Sequence, residues 1–156
     1  MYFCVHICHH ITMSIRVIID TNVLVAGLIS GKGPNRKILR LCFEETLQPY
    51  IGNALYKEYQ DLLSRENIQA LCKQTSFTLS EFLDDFASIC KPADVWFLWR
   101  PNLKDEADNH IVELAVAANV TYIITNNISD FAQAELQHVG HTVITPPDLL
   151  KLLRIK

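Results

Sequence analysis

Glycine and proline are scarce, five and six among 156 residues, too few for a linker-rich or disordered chain. A basic excess is missing as well. Fourteen Lys and Arg stand against 17 Asp and Glu, a formal charge of −3. No overall positive field draws in nucleic acid, so a polyanionic substrate has to be held by local cations or by metal. Apolar runs stop at about five residues, as at 95–99, which excludes a spanning helix and any membrane role that needs one. Cys4, Cys8, Cys42, Cys72 and Cys90 are odd in number and lack a CxxC, a pattern of free thiols in a reducing cytosol rather than a disulfide framework. There is no HExxH, no nucleotide-loop spacing around Gly31 and Gly33, and no Ser or Cys in a nucleophile elbow. These exclusions leave one cytoplasmic domain, long enough to bury roughly 70% of the surface its unfolded chain exposes.

Residues 1–12 carry Cys4, His6, Cys8, His9 and His10. No second Cys/His cluster completes a transition-metal site, and the segment lacks the basic start and apolar run of a secretory signal. It reads as a mobile extension ahead of a single domain over 13–156.

Strands and helices alternate through that domain. Val17-Ile18-Ile19 is apolar without alternation, the mark of a strand buried on both faces. Helical tendency follows over 22–28, with helices at 35–46 and 53–64 flanking a short strand at 48–51. Thr78 and Glu81 form a capping box that opens a helix to about Cys90. Residues 93–99 read as extended, and a helix starts at Asp105 or Glu106 and ends near Asn119. Strands at 121–125 and 142–145 precede a last helix opened by Pro146 and Pro147. The pattern predicts a three-layer α/β/α sandwich around a mainly parallel central sheet, with sites beyond the carboxyl ends of its strands.

Acids stand at those ends and on apolar faces. Asp20 directly follows the buried Val17-Ile18-Ile19 run, where it either caps the next helix or serves a site. Glu58 sits on or beside the Leu55, Tyr59, Leu62, Leu63 stripe of its helix, either as a rim carboxylate or as an inward ligand. Asp108 leads the inward Ile111, Val112, Ala115 face, where the helix dipole also favours an acid. Asp130 alone is an ordinary loop acid. If Asp20, Glu58 and Asp108 converge, two such charges 4 Å apart repel by about 4 kcal/mol at an effective dielectric of 20. Oxygen ligands of this kind select Mg²⁺ or Mn²⁺ rather than Zn²⁺, and such a centre suits phosphodiester hydrolysis.

The ordered series Val17-Ile18-Ile19-Asp20-Thr21-Asn22-Val23-Leu24, Leu55-Tyr56-Lys57-Glu58, Lys104-Asp105-Glu106-Ala107-Asp108-Asn109, Tyr122-Ile123-Ile124-Thr125 and Val143-Ile144-Thr145-Pro146 resembles the PIN domain, the nuclease fold of many VapC-like toxins. That resemblance implies Mg²⁺- or Mn²⁺-dependent cleavage of RNA, an antitoxin protein as partner and a homodimer. Asp20, Glu58 and Asp108 match the first three acidic positions, Asn22 the small polar residue beside the first, and Thr125 the threonine closing the later strand. A fourth acid often follows that threonine by two residues. Here the position holds Asn127, with Asp130 three residues on as its substitute from the loop. An amide oxygen brings no charge, so one firm metal site is expected rather than two.

Lys32, Arg36, Lys37 and Arg40 form a basic cluster in and after the glycine loop, either a phosphate-tracking patch, with Lys32 and Arg36 at its centre, or a solvated helix face. Trp96 and Trp99 pack in a core or interface, or stack on bases. The rival to a toxin ribonuclease is a degenerate module that binds RNA or protein without cutting, which Asn127 favours.

Overall fold

The computed structural model describes residues 14–72, 78–95, 109–131 and 140–155. A five-stranded parallel sheet, in the order β3-β2-β1-β4-β5, carries the fold. Its strands are β1 (Ile15–Ile19), β2 (Leu47–Ile51), β3 (Lys91–Pro92), β4 (Tyr122–Ile124) and β5 (Thr142–Ile144). The helices are α1 (Thr21–Ile29), α2 (Pro34–Phe43), α3 (Asn53–Ser64), α4 (Glu66–Leu71), α5 (Leu79–Ile89), α6 (Asn109–Ala117) and α7 (Pro146–Leu152). This is the α/β sandwich with a parallel sheet that the alternation predicts.

Burial explains the central strand. Val17, Ile18 and Ile19 are wholly buried, each worth roughly 1.5–3 kcal/mol relative to exposure. Their register pairs Ile18 with Ile123 and Ile19 with Ile124, so β1 and β4 end side by side. The chain leaves β1 to build β2 on one flank and returns later to place β4 on the other. That reversal opens a crevice at the carboxyl ends of β1 and β4.

Local signals set several helix ends. Thr78 accepts a hydrogen bond from the Glu81 backbone N–H at 3.2 Å, and Glu81 accepts one from the Thr78 N–H at 2.9 Å, the reciprocal capping box. Thr145 caps α7, whose first residue is Pro146. Gly27 is required by packing: a Cβ there would lie 2.7 Å from Leu39 Cδ1 and 3.1 Å from the Asn35 carbonyl oxygen, so α1 and α2 touch backbone to backbone.

Some boundaries differ from the sequence expectation. Helix α2 stops at Phe43 rather than residue 46, because Glu45 takes the left-handed conformation, φ 60°, which ends the helix at a turn. Asn53 is the first residue of α3 rather than its cap, which is Gly52. The short helix α4 has no counterpart in the apolar periodicity, and none of its residues is buried. Pairing with β2 falls at Lys91–Pro92, ahead of the extended segment expected at 93–99; residues 96–99, with Trp96 and Trp99, lie outside the described residues. So do residues 1–12 and the expected start of α6, including Asp108.

Among the described residues, no helix is long and apolar enough to cross a membrane. Cys42, Cys72 and Cys90 form no disulfide with one another. Burial pushes the Cys90 thiol up to about 12 and Cys42 higher still, with Cys90 adding to the latter, which leaves both unreactive near neutrality.

Candidate metal centre

Asp20 is the last residue before α1 and is 5% exposed. Its backbone N–H continues the sheet, donating to the Ile124 carbonyl at 2.9 Å. It occupies the N-cap position of α1 but makes no side-chain capping bond there. The carboxylate is turned instead to neighbouring side chains. Thr125 Oγ1 donates to Oδ2 at 2.6 Å and Asn22 Nδ2 donates to the same oxygen at 2.7 Å. Thr21 Oγ1 lies 3.2 Å from Oδ1. Burial pushes the Asp20 carboxyl above its usual 3.8; hydrogen bonds from Thr125 and Thr21 pull the other way, and the nearby Glu58 charge adds to the rise.

Glu58 reaches the same hydroxyl from α3. Thr21 Oγ1 lies 3.0 Å from Glu58 Oε1, so two carboxylates from different elements meet across one side chain. On its other side Glu58 Oε2 is 2.8 Å from His110 Nε2 of α6, an ion-pair contact. Burial alone would raise the Glu58 carboxyl. The His110 contact and charge, the Thr21 hydroxyl and the Arg65 charge outweigh it and hold Glu58 below its usual 4.5. Glu58 is therefore charge-compensated, whereas Asp20 has no cationic partner among the described residues.

Beneath the pair, Tyr59 is buried, and its hydroxyl donates to the Ile19 carbonyl at 2.5 Å. This ties α3 to the end of β1 one residue before Asp20. The α5 rings seat it: Tyr59 meets Phe86 edge-on at 6.2 Å, and Phe86 stacks on Phe82 at 5.8 Å.

The far wall comes from the β4 end. Thr125 is wholly buried, and its hydroxyl also accepts from Asn22 Nδ2 and from the Asn127 N–H, both at 3.1 Å. Asn22 Oδ1 accepts from the Asn126 N–H at 3.1 Å. Asn22 thus latches α1 onto the β4 loop while orienting Asp20. Asn127 and Asp130 face each other rather than Asp20: Asn127 Nδ2 donates to Asp130 Oδ2 at 2.5 Å, and Ser129 Oγ donates to Asn127 Oδ1 at 2.6 Å. Asp130 stands in a 3-10 turn, Ile128–Phe131, where the sequence predicts a loop.

The structure thus brings Asp20, Glu58, Asn22 and Thr125 together, sets Asn127 and Asp130 at the rim, and leaves Asp108 outside the described residues, one position ahead of α6. Lys32 is exposed. Arg36 approaches the Gly27 carbonyl at 3.5 Å and lines a cleft with Arg40, Phe82 and Asp85. Thr21, Tyr59, Arg65 and His110 are the neighbours that sequence reasoning missed. Only Thr21 had a visible signal, its place between Asp20 and Asn22.

Among the described residues no group of three or more His, Cys, Asp or Glu is arranged as a metal cluster. The donors present nonetheless fit a hard divalent ion. The Thr21 hydroxyl carries one proton and stands near two carboxylate oxygens, so it can donate to only one of them. The other oxygen needs a second proton or a cation, and in a buried, all-oxygen setting Mg²⁺ or Mn²⁺ suits.

Comparison with known proteins agrees with this geometry. A family model described as PIN domain matches residues 16–129. No curated protein matches the sequence. Among solved structures, a chain of VapBC2 from Rickettsia felis, crystallised bound to a DNA fragment from its promoter, superposes with a TM-score of 0.59 at 18% identity. The match covers 84% of this chain and 98% of that one, a likeness of fold. With the family model spanning both strand ends that build the carboxylate pocket, the chain belongs to the PIN-domain family.

Proposed function

We propose that this protein is a divalent-metal-dependent ribonuclease and the toxin of a two-component module. The observation that carries the reading is the meeting of Asp20 and Glu58 at one hydroxyl, in the crevice where β1 and β4 end. Asp20, buried and without a cationic partner among the described residues, would hold the ion, with Asp108 as its expected second ligand. Bound there, Mg²⁺ or Mn²⁺ would acidify water and neutralise charge on a scissile phosphate. The chain's own groups supply the rest. Thr125 and Asn22 fix the plane of the Asp20 carboxylate, and Glu58 accepts a proton from water or orients it. Asn127 and Asp130 border the open side. Lys32 and Arg36 would extend binding along an RNA strand from farther out. Cytoplasmic RNA, an antitoxin protein and a second copy of the chain are the partners that go with this reading. The VapBC2 likeness supports the first two-component element of it, and the metal-dependent RNA chemistry rests on the family and on the pocket.

The test is cleavage of single-stranded RNA with Mn²⁺ or Mg²⁺, with and without chelator. Activity that needs metal and disappears in the Asp20→Asn, Asp108→Asn double variant supports the reading; activity that survives both substitutions contradicts it. One observation favours a second reading, a module that binds without cutting. The position of the fourth acid holds Asn127, whose amide is already committed to Asp130 and Ser129. Saturable Mn²⁺ binding without cleavage of any RNA would favour that alternative.

A further inference from the structure

We propose that His110 is a positioning residue: with Thr21 on the opposite oxygen, it holds Glu58 back from the metal as the group that orients the attacking water. This deepens the ribonuclease reading and rests on it.

A glutamate at the end of three rotatable bonds, with its side chain 34% exposed, sweeps a wide arc unless tied. Glu58 is tied at both oxygens, Oε1 by Thr21 at 3.0 Å and Oε2 by His110 at 2.8 Å. The two ties come from the first residue of α1 and the second residue of α6, so three elements set one carboxylate. A carboxylate offers about four lone-pair directions. With one on each oxygen taken, one on each remains to meet a water, and the ties fix the direction in which it points.

Asp20 has the opposite character. Its Oδ2 accepts from both Thr125 and Asn22. Its Oδ1 meets the Thr21 hydroxyl, which stands nearer Glu58 than Asp20. When the single Thr21 hydroxyl proton goes to Glu58, Asp20 Oδ1 loses that donor. Charge divides the same way: His110 and Arg65 compensate Glu58, while Asp20 has no such neighbour among the described residues. The uncompensated carboxylate takes the ion, and the tied, compensated one takes the water.

The experiment compares wild type, His110→Leu and His110→Gln as full chains. Glutamine keeps an N–H where Nε2 stands; leucine keeps only bulk. Three quantities are read: kcat and KM on an RNA oligonucleotide, the Mn²⁺ dissociation constant by calorimetry, and the ¹⁵N resonances of His110 in metal-free protein with and without Glu58→Gln. The proposal expects His110→Leu to lower kcat by ~10–100-fold with KM and the Mn²⁺ constant unchanged, His110→Gln to recover most of the loss, and the His110 resonance to move when Glu58 is replaced. Unchanged kcat in His110→Leu, Mn²⁺ affinity falling in step with kcat, or a resonance indifferent to Glu58 overturns it. A wild type that binds no Mn²⁺ and cuts no RNA fails the ribonuclease reading before any variant is made, so the two failures are told apart.

Discussion

The two walls of the crevice are built to opposite rules. On the β1 side, Asp20 is buried, its carboxyl held high by desolvation and its oxygens met by neutral donors that supply no charge. On the β4 side, Asn127, Ser129 and Asp130 are exposed and satisfy one another. One wall carries a buried carboxylate with no cationic partner among the described residues; the other is closed upon itself. A buried charge without a counter-charge is costly, so the β1 wall persists for what it binds, while the rim makes no such demand. The contrast supports one strong cation position at Asp20 and little hold on a second ion beside Asn127.

Substitutions on each wall sharpen that contrast. Asp20→Asn should have the largest effect, lowering metal-dependent cleavage by ~100-fold or more, in the range seen when a charge-stabilising group is lost from an active site; a loss of only a few-fold would put the ion elsewhere. Thr125→Val comes next. It removes the donor to Asp20 Oδ2 and strands the Asn127 N–H, a loss of about 1–3 kcal/mol, readable as a lower melting temperature together with weaker Mn²⁺ binding. Asn127→Asp works in the other direction. It restores an acid at the rim and should increase Mn²⁺ stoichiometry or affinity in calorimetry, and no change would mean the rim faces away from the ion. Asp130→Ala should do least, shifting cleavage by about 3-fold or less, since exposed polar pairs contribute little.

Acidity offers a further separation of the two carboxylates. The Asp20 carboxyl lies above its ordinary 3.8 in the folded, metal-free chain, so the folded state keeps a proton that the unfolded state releases. Asp20 therefore costs stability increasingly as pH rises from that value through its folded pKa. Glu58, held below its ordinary 4.5, contributes stability above 4.5 that is lost as pH falls through its folded pKa. In melting curves with chelator present, Asp20→Asn should gain on wild type as pH rises from about 4 to 7, and Glu58→Gln should show its greatest deficit at the upper end. Differences that stay flat with pH would contradict both assignments.

Much of this was legible in residues alone because burial writes itself into composition. Val17-Ile18-Ile19 has no polar face, so a two-sided strand was its only reading, and an acid directly after it had to be explained. Glu58 was visible as an acid beside an apolar stripe, and the structure sets it half-buried at that edge. What could not be read was pairing across elements. Nothing in the spacing joins His110 to Glu58 or Thr21 to both carboxylates, because those contacts depend on how α1, α3 and α6 cross. Helix α4 escaped because no residue of it is fully buried and only Ile68 packs partly against the core, too little to leave a periodic trace. The approach of the Arg36 guanidinium to the Gly27 carbonyl was equally hidden, since it depends on the close approach of α1 and α2.

The most direct test of the central claim is calorimetric titration of the full, metal-free chain with Mn²⁺, beside Asp20→Asn under the same conditions. The account predicts a single saturable site in the wild type that vanishes in the variant. Binding of equal strength in both proteins, or no saturable heat in either, would show that the carboxylates meeting at Thr21 are not a metal centre.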